Sequence, residues 1–149
     1  MVLEGLTITI EPEPADEARA AVLDGLRSFN RQHAVAPGFQ PLALAVRAAT
    51  GEIVGGLIGE TAWGWLHVDL LWIEAAYRGR GVGRTLLGMA ERAATERGCR
   101  YAYLDTFDFQ ARPFYEREGY TVFGVQEDYP PGHTRYYLRK TLVTNEPAA

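Results

Sequence analysis

The spacing of apolar positions changes period several times along the chain, and each change marks an element. Leu6-Thr7-Ile8-Thr9-Ile10 alternates and is rich in β-formers, so it predicts a short first strand, ended by Glu11-Pro12-Glu13-Pro14. Asp16 can cap a helix whose apolar positions are Val22, Leu23, Leu26 and Phe29. A loop from His33 closes at Pro37-Gly38. Leu42 to Arg47 and Ile53 to Ile58 then flank a Thr50-Gly51 turn and predict a hairpin. Gly55-Gly56 inside its second strand suggests close packing or a bulge. Trp65 to Ile73 predicts a long strand. Strict alternation would turn Trp65, His67, Asp69, Leu71 and Ile73 one way, and Leu66, Val68, Leu70 and Trp72 the other.

Helical spacing returns at Val82, Leu86, Ala90 and Ala93 and runs to Arg97, with Gly98 suited to the C-terminal cap. Tyr101 to Thr106 reads as a strand, and Ala111 to Glu118 as a short helix stopped by Gly119. Thr121 to Val125 and Arg135 to Leu142 are two last strands, joined by a loop from Glu127 to His133. The tail from Thr144 to Ala149 is expected to fray. This order predicts an α/β (α+β) fold, a mixed sheet flanked by helices. No repeat or linker divides the 149 residues, so the expectation is one domain with its core over about residues 6–142 and a tail at 143–149.

Composition narrows the classes. A hydrophobic fraction of 47% and a charged fraction of 23% are those of a globular domain, and no apolar run approaches a membrane span. The lone Cys99 cannot form an internal disulfide, and the N-terminus lacks a signal-peptide core, so a cytoplasmic location is expected. The net charge of -4 argues against broad nucleic-acid binding, including charged tRNA as a substrate, while leaving room for a local basic mouth. No metal-ligand cluster is visible.

The basic mouth is Arg78-Gly79-Arg80-Gly81-Val82-Gly83-Arg84-Thr85, where an apolar strand ends and a helix begins. The first N–H groups of a helix lack intrahelical partners and carry partial positive charge, so such a junction is an anion site. The glycines permit positive φ and close approach of a ligand, and the three arginines add fixed charge. A P-loop is excluded because no lysine is present, and the two-residue glycine spacing does not fit the dinucleotide fingerprint. A kinase glycine loop lacks its lysine and Asp-Phe-Gly partners. The pattern that fits is Arg-x-x-Gly-x-Gly at Arg78, Gly81 and Gly83. It resembles the acetyl-CoA loop of the GNAT superfamily of N-acetyltransferases. A second stretch, Arg112-Pro113-Phe114-Tyr115-Glu116-Arg117-Glu118-Gly119-Tyr120, resembles that family's Phe-Tyr-Glu-x-x-Gly-Phe/Tyr motif and follows at the family's spacing.

The resemblance implies a mostly antiparallel sheet splayed between its central strands, and acetyl-CoA as cosubstrate without a metal. It implies that the exposed edge at Leu71, Trp72 and Ile73 pairs with the pantetheine arm. It also implies that Tyr115 is the general acid for the leaving thiolate. Where the family often carries Asn this chain has Asp108, which cannot donate when ionised, so Gln110 becomes the candidate amide contact. The general base stays open among Asp69, His67, Glu74, Glu127 and Asp128, with Asp69 the first candidate and a water relay available. The acidic Asp69, Glu127 and Asp128, with Trp63, Trp65 and Tyr129, favour a cationic amine acceptor, either a small molecule or a peptide amine. A homodimer through the last strands is a family habit. The alternative is a non-catalytic acyl-CoA-binding module, which would need no acid at Tyr115.

Overall fold

The computed structural model describes residues 2–13 and 15–142, in two compact units, Met1–Ala36 and Pro37–Ala149. The frayed tail expected from Thr144, and Pro14 of the strand-ending stretch, lie outside the described residues.

In the first unit, strand β1 (Val2–Leu3) pairs antiparallel with β2 (Leu6–Thr7), and helix α1 spans Asp16–Arg31. Glu4 and Gly5 both take positive φ, 42° and 83°, which suits the right-handed twist of a two-residue hairpin turn. The first strand is therefore Leu6–Thr7 rather than Leu6–Ile10, because its pairing partner is only two residues long. Asp16 is also not the cap. Ala15 holds that position with ψ 142° and no side-chain bond, while Asp16 and Glu17 sit in the first turn, where their charge complements the helix dipole.

The second unit holds a six-stranded sheet in the order β3-β4-β5-β6-β8-β7. Its strands are β3 (Gln40–Arg47), β4 (Ile53–Ala62), β5 (Trp65–Ile73), β6 (Tyr101–Phe107), β7 (Thr121–Glu127) and β8 (Thr134–Thr141). All neighbours are antiparallel except β5 and β6. That parallel pair needs a crossover, which a 3-10 turn at Ala75–Tyr77 and helix α2 (Val82–Glu96) provide. A short helix α3 (Arg112–Arg117) follows β6. Among the described residues, no helix is long and apolar enough to cross a membrane.

Helix α2 turns Leu86, Leu87, Ala90 and Ala94 into one core with Leu57, Leu66, Val68, Leu104 and Leu138 from four strands. Each fully buried leucine contributes about 1.5–3 kcal/mol by leaving water. Polar ties hold the helix ends. The Arg97 guanidinium donates to the Pro41 carbonyl at 3.2 Å and to Thr61 Oγ1 at 3.2 Å. Glu91 accepts from Tyr120 Oη at 2.9 Å and from Lys140 Nζ at 2.9 and 3.0 Å, linking α2 to β8. Cys99 is buried in this core, and burial pushes its thiol up against the opposing pull of Arg97, as suits a packed rather than a nucleophilic thiol.

Strict alternation in β5 fails at Asp69. The β4–β5 register pairs Ile58 with Leu70 but Gly59 with Val68, so Asp69 is an extra residue at a bulge. Leu66 and Val68 are buried core residues, and after the bulge it is Leu71 and Ile73 that pack against the core, while Leu70 and Trp72 are exposed. The bulge stands at a glycine for a steric reason. A Cβ on Gly59 would lie 2.2 Å from the His67 carbonyl oxygen. Gly59→Ala is therefore expected to cost about 1–3 kcal/mol, as overpacking against backbone does. Gly88→Ala in α2, whose Cβ would meet only the end of Arg92 at 3.6 Å, should instead stabilise by about 0.5–1 kcal/mol. Urea unfolding of the two variants checks both signs.

Candidate active site

Strands β5 and β6 pair only from Trp65–Tyr101 to Val68–Leu104. Beyond that point β6 keeps its partner β8 as far as Phe107, and β5 keeps β4, but they no longer bond each other. The opening forms a cleft of about 820 Å³. Its walls are Leu71, Trp72 and Ile73 on one side and Asp105 and Thr106 on the other, with the loop before α2 at one end and α3 beneath. The β5 backbone there is a free strand edge, which an extended ligand can join by main-chain hydrogen bonds.

The end of the cleft at α2 is built for an anion. Gly79 and Gly81 have φ 72° and 77°, and nothing stands within 4 Å of where a Cβ would be on either. Gly81 is the N-cap and supplies no side chain, so the first-turn N–H groups of α2 have no side-chain acceptor. Arg78 Nε donates to the Ile73 carbonyl at 2.8 Å, pinning the arginine across the end of β5. Arg84 stands 3.6 Å from Glu118 and is largely exposed. Gly83 faces the cleft floor, where an added Cβ would meet Ile73 at 3.3 Å and Phe114 at 3.4 Å.

Tyr115 comes from α3. Its ring packs against Phe114 at 5.1 Å and Tyr120 at 6.0 Å, both edge-on, which fixes the direction of the phenol. Burial, with the nearby Asp105 charge, pushes its pKa up to about 12. The phenol therefore keeps its proton at neutral pH. Asp105 is held by Arg135, whose Nε donates to Oδ2 at 2.8 Å. The turn between β6 and α3 is fixed by Gln110, whose Oε1 accepts from Thr106 Oγ1 at 3.2 Å and the Phe107 N–H at 3.0 Å.

Of the residues singled out in the sequence, Leu71, Trp72, Ile73, Arg78, Gly79, Gly81, Val82, Gly83, Arg84, Gln110 and Tyr115 line this cleft. Four do not. Asp69 is exposed at the bulge. Arg80 lies over the Tyr77 ring at 5.5 Å. Thr85 bonds back to the Gly81 carbonyl at 3.0 Å. Asp108 turns to the β7–β8 loop, accepting from His133 Nδ1 at 2.9 Å and the Thr134 N–H at 3.0 Å. His67 is likewise engaged elsewhere, 2.8 Å from Glu60 and stacked on Tyr103, and Trp65 stacks on Tyr101. The sequence reading missed Asp105, Thr106, Phe109 and Phe114. Asp105 did carry a signal, a charge inside an otherwise apolar strand. Phe109 carried none, because a loop residue has no period.

A model of the acetyltransferase (GNAT) family matches residues 9–120. The chain belongs to the GNAT acetyltransferase family. It is 50% identical over 93 residues to blasticidin-S acetyltransferase of Streptomyces morookaense, covering 62% of this chain and 68% of that relative. It is 38% identical over 124 residues to an acetyltransferase of Agrobacterium fabrum, covering 83% and 90%. The crystal structure of an acetyltransferase from Bacillus cereus superposes with a TM-score of 0.83 at 33% identity, covering 91% of this chain and 98% of that one. GNAT acetyltransferases use acetyl-CoA as acyl donor. The uncapped N-terminus of α2 and the glycines before it suit a pyrophosphate, since no side chain competes for those N–H groups. Among the described residues no group of three His, Cys, Asp or Glu suits a metal ion.

The raised pKa of Tyr115 has a consequence for stability. Its folded pKa, about 12, lies above the unfolded value of 10.0, so its contribution is complete below pH 10 and is lost as pH rises through the folded value. By pH 12 the loss should be about 2 kcal/mol. Tyr115→Phe should flatten stability over this window relative to the wild type, as read by denaturant unfolding at pH 9, 10, 11 and 12.

Proposed function

We propose that the chain is an N-acetyltransferase that moves an acetyl group from acetyl-CoA directly to a primary amine, with Tyr115 as general acid. One observation carries the reading. The uncapped helix terminus, the free β5 edge and the Tyr115 phenol all open into a single cleft. In this reading the first-turn N–H groups of α2, with Arg78 and Arg84, bind the pyrophosphate. A backbone N–H of Leu71, Trp72 or Ile73 donates to the thioester oxygen as charge develops. The amine nitrogen attacks the carbonyl carbon, the C–S bond breaks, and the sulfur leaves as thiolate. The proton of the former ammonium departs through water. Asp69 lies outside the cleft and enters only through such a relay.

Tyr115 supplies the proton to sulfur. Its pKa, about 12, exceeds that of an ordinary thiol, about 8.5, so full transfer is uphill by roughly 5 kcal/mol. The phenol therefore acts first as a hydrogen-bond donor to the charge growing on sulfur, and water restores the balance after the thiol forms. A carrier that binds acyl-CoA without turnover would need no such donor. The relative named for blasticidin S makes that antibiotic the first acceptor to try, alongside polyamines, lysine-like amines and peptide amines. Release of free CoA dependent on an added amine tests the proposal, and its absence across the panel would leave a binding module.

Two variants separate the halves of the cleft. Gly83→Asp brings bulk against Ile73 and Phe114 and a negative charge to the phosphate end, yet an acid in a helix first turn does not oppose folding. Acetyl-CoA affinity should fall by roughly tenfold or more, about 1.4 kcal/mol. Unchanged affinity by calorimetry in the folded variant would show the phosphates bind elsewhere. Tyr115→Phe keeps the ring packing and should lower kcat by about 10²-fold or more with acetyl-CoA affinity intact. An unaltered kcat under conditions where chemistry limits the rate would reduce Tyr115 to a core residue.

A further inference from the structure

On the wall opposite β5 the cleft meets a cluster of charged and aromatic side chains. Asp105 lines the cleft. Arg135 holds its Oδ2 at 2.8 Å, and no described residue donates to its other oxygen. Beside it stand three rings. Phe107 stacks on Phe109 at 5.2 Å with 5° between planes, and on Tyr129 at 6.2 Å and 23°. Arg135 lies over Phe107 at 5.9 Å and over Tyr129 at 5.3 Å, so the ion pair and the rings form one unit. His133 meets Phe109 edge-on at 4.9 Å and is itself tied to Asp108 at 2.9 Å, which holds the Phe109 ring in position.

These rings are not buried. Phe109 is 56% exposed and also lines the cleft, and Tyr129 is 47% exposed. Near-parallel aromatic surface left facing water marks a binding site rather than a core. Its chemistry defines the occupant. Flat faces accept another flat ring by offset stacking. The unshared carboxylate oxygen of Asp105 accepts an ammonium. Asp105, and not Arg135, lines the cleft, so a substrate carboxylate there meets like charge and an acidic amine is disfavoured.

We infer that the acceptor is a cationic primary amine carrying a planar aromatic or heteroaromatic ring. The ring rests on Phe109, and the ammonium is received by Asp105 at the Tyr115 end of the cleft. This rests on the reading of the cleft as the acetyl-transfer site, and it narrows that reading from amines in general to one class.

Binding without chemistry separates the two claims. Calorimetry on the CoA-loaded protein should show tryptamine binding about tenfold more tightly than butylamine, a difference one stacked ring supplies. Phe109→Ala should bring the two amines to within about twofold of each other while leaving butylamine unchanged. Asp105→Asn should weaken both amines by roughly tenfold or more and spare CoA, which also reports that the variant is folded. If Asp105→Asn fails to fold, Phe109→Ala decides alone. Equal affinity for the two amines, or a ring preference that survives Phe109→Ala, overturns the inference. Failure of amine-dependent CoA release would instead overturn acetyl transfer and leave the binding result standing.

Discussion

The loss of pairing between β5 and β6 beyond Val68 and Leu104 is the constraint on which the rest of the molecule depends. A sheet gains from continuous ladders, and leaving strand edges unpaired in a partly enclosed space has a cost. The chain accepts that cost in one place. The bulge at Asp69, possible because Gly59 opposite it has no side chain, redirects β5 away from β6. The same bulge reverses the facing of β5, so that Leu71 and Ile73 anchor the diverging strand in the core. The freed edge is stabilised from within the core on one side and left available on the other.

Every other part of the site is set relative to this opening. The crossover from β5 to β6 must pass through α2, so the helix begins at the end of β5 and its N-terminus faces the cleft. Glycines let the loop turn sharply there, and Arg78 clamps it to the last carbonyl of β5. On the far side, α3 follows β6 directly and brings Tyr115 under the gap. The hydrophobic effect that buries Tyr115 also raises its pKa, so packing and chemistry at this residue have one cause. Asp105 contributes to both walls of the problem. It sits on the strand that diverges, it adds to the shift on Tyr115, and Arg135 ties it to the rings of Phe107 and Tyr129.

The electrostatic layout follows a simple division. Positive charge and helix dipole lie at the α2 end. The carboxylate of Asp105 lines the wall opposite β5, and the exposed Phe109 ring lines the same cleft. The acids that the sequence made conspicuous, Asp69, Glu127 and Asp128, are exposed and do not line the cleft. Asp128 instead closes its own loop by accepting from the Gly132 N–H at 2.9 Å.

Local physics determined much of this protein from sequence. The long strand Trp65–Ile73, the helix from Val82 and the glycine-rich junction between them were legible because periodicity and backbone freedom are properties of neighbouring residues. The family's two motifs were legible for the same reason, and with them much of the cleft wall, from Arg78 to Arg84 except Arg80, and Tyr115. What only the tertiary structure decided depends on residues distant in the chain. The bulge required Gly59 to meet His67, so alternation alone turned Leu70 and Leu71 the wrong way. The first strand required a partner, and the available partner shortened it to Leu6–Thr7. Asp108 looked like a cleft residue until His133 and Thr134, far along the chain, engaged both its oxygens. Asp105, one of seven residues in β6, acquired its setting when Arg135 of the adjacent β8 paired with it and β5 turned away. Those are long-range contacts, and no short window of sequence contains both partners.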